Sequence, residues 1–376
     1  MTLFIPWPRC IAFIGLALSC LAGCERKAPT ASASGIIPLK VCYIGLTCEA
    51  PIFVAQEKGF FKEEGLDVEL VKTSWDSLLQ GLSFGRFDAT HTLVPYLLKP
   101  MEQGLEVKMT GGIHHGCLRI QAAAGSNIRG VEDLRGKRIA VSTMGSPPMI
   151  FAYRVLAAHG MDVNKDVTWL VFPADSTELA MRRGQVDAVA DSEPIGSLLL
   201  SHGSVRTIAD QSNDAPYKDE YCCAVVVSKR LARDNPAAAA RVTRALLKGA
   251  KWVGVNPLAA ARLSAEKKYL AATPELNAAA LALLNYAPGV STCETSIANQ
   301  AIEMKKAGML SASTDPGELA RRAWLKLDGV DDQWLSRLTV ETVPGQPRPA
   351  TDAVSLAALM KGRKACCGNC CLGESR

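Results

Sequence analysis

Short apolar runs alternate with segments of helical spacing from residue 39 to about residue 190, and this alternation admits few folds. The runs predict buried strands, and the segments between them predict helices. The predicted strands span residues 39–44, 66–71, 87–90, 107–110, 139–142, 167–172, 187–190 and 221–227. Strands alternating with helices in this way predict an α/β chain with mostly parallel sheets.

Capping residues followed by proline predict where helices begin. Asn, Ser and Thr side chains accept hydrogen bonds from the first free N–H groups of a helix, and proline is tolerated in its first turn. A helix is predicted over residues 51–61, with Pro51 in its first turn, and another over residues 147–159, with Ser146 as its cap. Three further helices are predicted to start near residues 236, 257 and 274, after the pairs Asn235-Pro236, Asn256-Pro257 and Thr273-Pro274.

The first 23 residues predict a secretory signal peptide. Arg9 precedes an apolar run over residues 10–23, which is shorter than the roughly 20 residues that a bilayer span needs. The run ends in Leu-Ala-Gly-Cys24, which resembles the lipobox of bacterial lipoproteins. That resemblance implies a lipid on Cys24 that anchors the protein outside the cytoplasmic membrane; an ordinary signal peptide with an incidental cysteine is the alternative. Residues 24–37, rich in Ala, Ser and Thr, predict a flexible tether.

Charge and composition argue against nucleic acid as a partner. The formal net charge is only +5, aromatic residues make up 6% of the chain, and no basic block is present. Removal of 23 of the 376 residues leaves 353, which is enough for two domains. The 13 cysteines are many for such a chain, and their positions therefore need an explanation.

Two segments carry a family resemblance. The first is PIFVAQEKGFFKEEGLDV at residues 51–68. The second is GRFDA at residues 85–89, and a similar sequence occurs at residues 183–188. The first segment resembles the opening of the periplasmic binding proteins for alkanesulfonates, nitrate, taurine and thiamine precursors. The likeness covers about residues 38–330. It implies a two-lobed periplasmic-binding-protein fold of type II, with two crossing strands as its hinge.

The same resemblance implies a domain organisation and a function. Lobe 1 is expected to comprise residues 38–120 and 228–340, and lobe 2 residues 125–222. The implied function is capture of a small ligand for an ABC importer, with the permease and ATPase subunits as partners and no required cofactor. An enzyme on the same fold, using a pair such as Cys117 with His114, is the alternative.

Ligands of open α/β sheets bind beyond the carboxyl ends of the strands. The residues predicted to follow those ends, or to lie at the two crossings, are Thr47, Cys48, His91, His114, Cys117, Ser142, Thr143, Gly145, Ser146, Asp191, Glu193 and Cys222. Two hypotheses compete for them. Residues 142–146 precede a helix and could hold a sulfonate, carboxylate or nitrate by its N-terminal N–H groups, or Ser146 could simply cap that helix.

The second hypothesis rests on the cysteines. Cys48, Cys117 and Cys222, with His91 and His114, would offer sulfur and imidazole ligands from separate loops, which suit a soft metal ion or an organometal. Taken singly, each thiol is expected to be a small buried hydrophobe. Cys42 points to the other face of its strand and is expected in the core, and Cys293 is expected in a loop.

A cysteine-rich tail follows a proline-containing linker within residues 341–376. Cys366, Cys367, Cys370 and Cys371 include a C-x-x-C spacing that chelates a metal or forms a reversible disulfide. Sulfonate- and nitrate-binding proteins lack such a tail. The chain in this respect resembles thiol-rich binding proteins linked to organomercury and selenoprotein systems, and the eukaryotic thiamine-pyrimidine synthases.

Overall fold

A computed structural model describes residues 35–345. The predicted signal peptide, Cys24 and the cysteines of the tail lie outside this range, so the lipid anchor and the tail metal site stay predictions. In the described part of the chain, no helix combines the length and the apolar character needed to cross a membrane.

Within residues 35–345, ten strands form two sheets of five strands each. Their bounds are β1 Ile37–Tyr43, β2 Leu66–Lys72, β3 Ala89–Leu93, β4 Val107–His115, β5 Leu118–Ala123, β6 Arg138–Val141, β7 Thr168–Val171, β8 Ala188–Ser192, β9 Val205–Asp210 and β10 Tyr221–Ser228. The orders are β2-β1-β3-β10-β4 and β7-β6-β8-β5-β9. In each sheet the fourth strand is antiparallel to both of its neighbours, and the other four run in one direction.

The two sheets exchange strands with each other. The chain leaves the first sheet at β4 and enters the second at β5, and it returns from β9 to β10. Each antiparallel strand is therefore the first one that the chain forms after it crosses. This arrangement confirms the predicted two-lobed α/β fold of type II, with its two crossings.

Fourteen α-helices in residues 35–345 flank the sheets. Their bounds are α1 Ala50–Glu57, α2 Phe60–Glu63, α3 Trp75–Ser83, α4 Val94–Glu102, α5 Pro147–Ala158, α6 Thr177–Arg182, α7 Ile195–Ser201, α8 Lys229–Asp234, α9 Pro236–Val255, α10 Pro257–Glu266, α11 Pro274–Leu283, α12 Ser291–Lys306, α13 Pro316–Ala323 and α14 Asp332–Arg337. The helix starts predicted at residues 236, 257 and 274 are confirmed.

The predicted caps are only partly right. Asn235 and Thr273 accept the expected backbone hydrogen bonds. Asn256 does not cap α10. Its side-chain NH₂ group instead donates to the carbonyl of Glu341, and its side-chain oxygen accepts the N–H of Val343, which fixes the end of the described chain. Ser146 occupies the cap position of α5 but makes no capping hydrogen bond.

Several predicted boundaries are wrong. The helix predicted over 51–61 is divided into α1 and α2, because Gly59 adopts a left-handed conformation between them. Strands β5 and β9 and helix α7 were not predicted. The buried polar residues Arg119 and Gln121 hide the apolar pattern of β5. Cys293 lies in the first turn of α12 rather than in a loop.

Helix α1 packs directly on α9 beneath the first sheet. Gly249 makes this close approach possible, since a Cβ atom at that position would lie 2.5 Å from the carbonyl oxygen of Pro51. The contact matters for the site because α1 follows immediately after the short 3₁₀ turn Thr47–Glu49, which carries Cys48.

We predict that Gly249→Ala lowers the free energy of unfolding by about 1–3 kcal/mol, because helices α1 and α9 must separate to admit the methyl group. The control is Gly125→Ala, where a Cβ atom would meet no atom within 4 Å. Urea unfolding of both variants checks the prediction. Equal stabilities of the two variants would contradict it.

Candidate ligand-binding site between the two lobes

Four thiols and two imidazoles meet at the edge where β1, β3 and β4 end and β10 begins. This thiol cluster consists of Cys48, Cys117, Cys222, Cys223, His91 and His114, all of them buried. Ligand atoms of Cys48, His91 and Cys223 lie within 4.8 Å of one another, and so do those of His114, Cys222 and Cys223. The cysteines of the cluster are free thiols.

A bulge in β10 explains how two adjacent cysteines reach one site. Neighbouring residues of a regular strand point to opposite faces. Here β10 pairs Tyr221 with His115 and Cys223 with His114, and the register shifts between these pairs, so Cys222 is the additional residue. The shift brings the sulfur atoms of both Cys222 and Cys223 within reach of His114.

Helix α12 holds the start of β10 in place. The hydroxyl of Ser296 accepts the N–H of Tyr221 at 2.8 Å, and the amide of Gln300 donates to the carbonyl of Tyr221 at 2.9 Å. The phenol of Tyr221 donates to the carbonyl of Ala287 at 2.8 Å. Side chains of α12 therefore hold the backbone on the N-terminal side of the bulge.

A buried carboxylate positions Cys48. The Glu49 side chain accepts the backbone N–H groups of Ile44, Gly45 and Leu46, which closes the turn after β1. Burial raises the pKa of Glu49 to about 7, although these three N–H donors favour its charged form. The phenol of Tyr286 donates to the Cys48 carbonyl at 3.2 Å and fixes the other side of the turn.

The turn after β4 positions His114 and Cys117. Gly116 has a φ of +69°, and a Cβ atom there would collide with Ser212, so only glycine fits. The Nδ1–H group of His114 donates to the Gly116 carbonyl at 3.0 Å. Its Nε2 atom therefore carries the lone pair, and this buried atom has no hydrogen-bond partner.

The sequence predicted that His91 follows the end of its strand. In the structure it lies within β3. Both of its ring nitrogens are buried without a hydrogen-bond partner. Burial lowers the pKa of His91 to about 3, and burial also lowers the pKa of His114. Both imidazoles are therefore neutral, which is the form that binds metal ions.

Cys117 is the central thiol of the cluster. Hydrogen bonds from Cys222 and Cys48 lower the pKa of the Cys117 thiol, and the backbone N–H of Glu193 acts in the same direction. Burial raises the pKa of Cys222 and of Cys223. We therefore expect Cys117 to lose its proton before the other thiols of the cluster. One of the groups that favour its thiolate, the backbone N–H of Glu193, belongs to the second lobe.

Charged side chains of the second lobe form a wall beside the cluster. Arg119 pairs with Glu193 and with Asp210, and all three carry little exposed surface. The nearby Asp191 lies in β8 rather than after it, and neither of its carboxylate oxygens has a hydrogen-bond partner. Burial raises the pKa of Asp191 well above its usual range.

Residues 142–146 provide few donors for an anion. The N–H of Gly145 is directed at the sulfur of Met149, and that of Ser146 donates to the Thr143 carbonyl. Helix α5 then begins with Pro147 and Pro148, which have no N–H group. Ser142, Thr143 and Gly145 are exposed. The hydroxyls of Thr47 and Ser146 are buried without partners.

Most of the residues predicted for the soft-metal hypothesis converge. Cys48, Cys117, Cys222 and His114 lie in one cluster, together with His91. Cys223 was not among the predicted metal ligands; in a regular strand its side chain would point away from that of Cys222. Cys42 is buried in the core as expected, and no disulfide joins any of the cysteines within residues 35–345.

The lobes also touch on either side of the cluster. Helix α11 of the first lobe contacts α7 of the second, and α4 contacts α5. With each member of the cluster at most 3% exposed, a ligand reaches the thiols only when these contacts open. Such burial of a site between two hinged lobes is typical of proteins that enclose a small solute.

Comparison with solved structures identifies the class of fold. The alkanesulfonate-binding protein SsuA from Xanthomonas axonopodis, bound to MOPS, superposes with a TM-score of 0.62 over 79% of this chain and 99% of that one, at 21% identity. The periplasmic nitrate-binding protein NrtA from Synechocystis gives a TM-score of 0.63 over 83% and 89%, at 19% identity. The desulfurization enzyme DSZB shares the fold with a TM-score of 0.54 at 15% identity, over 80% of this chain and 97% of that one.

Sequence comparison then identifies the family. Residues 33–267, more than half of the chain, match the model of the NMT1-like family, and the chain belongs to that family. The nitrate/nitrite binding protein NrtA of Synechococcus elongatus is 26% identical over 260 residues, 61% of this chain and 58% of that protein. The bicarbonate transport ATP-binding protein CmpC of Synechocystis is 27% identical over 201 residues, 46% of this chain and 29% of that protein. The chain thus spans less than two thirds of these curated relatives.

We predict that Glu49→Gln removes part of the pH dependence of stability in the metal-free protein. Because the folded-state pKa is raised from 4.5 to about 7, the contribution of Glu49 to stability is present below pH 4.5 and is lost as the pH rises through 7. Glutamine keeps an acceptor oxygen for the turn but cannot ionise.

Urea unfolding at pH 5 and pH 8 measures this difference. The wild-type protein should lose more stability between the two pH values than Glu49→Gln does. The exposed substitution Glu294→Gln serves as control and should behave as the wild type. An unchanged pH dependence in Glu49→Gln would show that this carboxyl group titrates normally.

Proposed function

We propose that this protein is the extracytoplasmic solute-binding component of an ABC importer, anchored by a lipid on Cys24. Its family, its two-lobed fold and the transport role in the names of its relatives support this function. The partners would be the permease and ATPase subunits that accept the enclosed ligand. The similarity to DSZB concerns the fold alone, so it does not by itself favour catalysis.

We further propose that the ligand is a soft cation or its organic derivative, bound by the thiol cluster. The observation that carries this proposal is the arrangement of the two ligand sets, in which buried sulfur and nitrogen atoms lie within 4.8 Å of one another. Thiolate and imidazole select soft and borderline ions over magnesium or calcium. The imidazole nitrogens without partners also need an occupant, since an unpaired buried polar atom costs about 1–3 kcal/mol.

The geometry gives less support to a hard oxyanion as the ligand. Nitrate and sulfonate need several N–H donors or a cation, whereas the N–H groups of Gly145 and Ser146 are already directed at Met149 and Thr143. The buried cation of the second lobe, Arg119, already has two carboxylate partners. The neutral imidazoles supply no positive charge to a bound anion, and the single guanidinium of the wall, that of Arg119, is already neutralised by Glu193 and Asp210.

Anaerobic calorimetric titration with Cd²⁺ tests the ligand class. In this and the later metal-binding tests every sample, the reference protein included, carries serine in place of the tail thiols Cys366, Cys367, Cys370 and Cys371, so that only the thiol cluster is measured. We expect the reduced wild-type protein to bind Cd²⁺, and Cys48→Ala/Cys223→Ala to lose at least tenfold in affinity. The control is Cys42→Ala/Cys293→Ala, which removes two buried thiols outside the cluster and should bind as the wild type does. Nitrate and an alkanesulfonate are the competing probes.

Small-angle scattering of the same samples tests the role as a solute-binding protein. Cd²⁺ should shift the wild-type lobes towards the compact form and should not shift those of the Cys48→Ala/Cys223→Ala variant. Equal Cd²⁺ affinity in the two double variants would contradict the soft-cation ligand. Tight binding of nitrate or sulfonate with compaction would support an oxyanion importer in its place.

A further inference from the structure

The two ligand sets of the thiol cluster have one member in common. The first set is Cys48, His91 and Cys223, and the second is His114, Cys222 and Cys223. The first set brings together the turn after β1, strand β3 and strand β10. The second set lies across the β10–β4 pair. The sulfur of Cys223 therefore stands between two groups of potential ligands.

We propose that the cluster binds a pair of soft divalent cations bridged by the Cys223 thiolate. This inference rests on the proposed function, which requires only that the cluster binds a soft cation. One ion would be held by Cys48, His91 and the shared sulfur, and the other by His114, Cys222 and the same sulfur. The bulge that re-aims Cys222 is what creates the second position.

The spacing of the ligand atoms fits two three-coordinate positions. With metal–sulfur bonds of about 2.3 Å and metal–nitrogen bonds of about 2.0–2.1 Å, three ligands around one ion lie roughly 4 Å apart. The two sets lie within 4.8 Å, so each needs only a small contraction around an ion. One ion cannot satisfy all six ligands, because soft cations in such sites take about four.

Cys117 offers a further ligand to the pair. Its thiol interacts with Cys48, a member of the first set, and with Cys222, a member of the second. It is therefore the candidate fourth ligand of either ion. With the Cys223 sulfur shared, the four thiols and two imidazoles would supply three donors to one ion and four to the other.

The balance of charge favours divalent over monovalent ions. Four thiolates and two divalent cations sum to zero, whereas two monovalent cations would leave two uncompensated negative charges in a buried site. Arg119 of the second lobe does not supply the missing charge, because it is already paired with Glu193 and Asp210. The neutral imidazoles contribute ligands without adding charge.

The test uses ¹¹³Cd²⁺ with the reduced full-length protein under anaerobic conditions, with Cys366, Cys367, Cys370 and Cys371 replaced by serine so that the tail binds no metal. Native mass spectrometry should show two Cd²⁺ per chain, and ¹¹³Cd NMR should show two resonances that split each other, since scalar coupling between two cadmium nuclei requires a shared sulfur. Cys223→Ala should abolish the splitting and reduce the stoichiometry to one or less. Cys117→Ala should keep the splitting.

Variants that remove one set identify the two positions. Cys48→Ala/His91→Ala and His114→Ala/Cys222→Ala should each bind one ion and lose a different resonance. Cys293→Ala, which removes a buried thiol outside the cluster, should keep both ions. Circular dichroism of each variant checks that it is folded, and any unfolded variant is replaced by the corresponding serine or glutamine substitution.

A stoichiometry of one Cd²⁺ in the wild-type protein, or two resonances without mutual splitting, would overturn the bridged pair and leave the proposed function standing. Persistence of the splitting in Cys223→Ala would also overturn the assignment of the bridge. Absence of any Cd²⁺ binding would instead contradict the soft-cation ligand itself. The two proposals therefore fail in different ways.

Discussion

The bulge at the start of β10 is the feature on which the site depends. A regular strand would direct Cys222 and Cys223 to opposite faces, and only one of them could reach the edge between the lobes. The extra residue lets both sulfur atoms approach His114, while α12 fixes the preceding Tyr221 through Ser296 and Gln300. Because β10 is also the strand by which the chain returns from the second lobe, the site and the hinge share one segment.

The general fold follows from patterns that are local in the sequence. Alternating runs, proline-initiated helices and the segment at 51–68 were enough to predict two lobes with mostly parallel sheets. The elements that were not predicted include a strand with buried polar residues, which interrupt its apolar pattern. Strand β5 carries Arg119 and Gln121 on buried positions, so its sequence does not read as apolar, yet Arg119 forms the buried ion pairs of the second lobe.

The site could be predicted from the sequence only in part. Cys48, Cys117 and Cys222 could be placed together because strand ends and crossings meet at one edge of a sheet. Cys223 could not, since a bulge shifts the register by one residue and local sequence gives no direct sign of it. The limit of the anion hypothesis was visible in the sequence, because Pro147 and Pro148 cannot donate backbone hydrogen bonds.

The family resemblance and the site chemistry act at different levels. Membership of the family accounts for the two lobes and for the edge at which they meet. The side chains at that edge determine what is enclosed, and here they are sulfur and neutral imidazole beside a carboxyl group without a partner. Relatives named for nitrate or bicarbonate can therefore share the fold without sharing the ligand.

X-ray absorption at the cadmium edge tests the central claim most directly, because it reports which elements surround the ion. For reduced protein whose tail cysteines are replaced by serine, loaded with Cd²⁺ and freed of excess metal, we expect a first shell dominated by sulfur with an imidazole contribution. The Cys48→Ala/Cys223→Ala variant should lose that sulfur shell. A first shell of oxygen atoms in the wild-type protein would contradict the assignment of the thiol cluster as the ligand site.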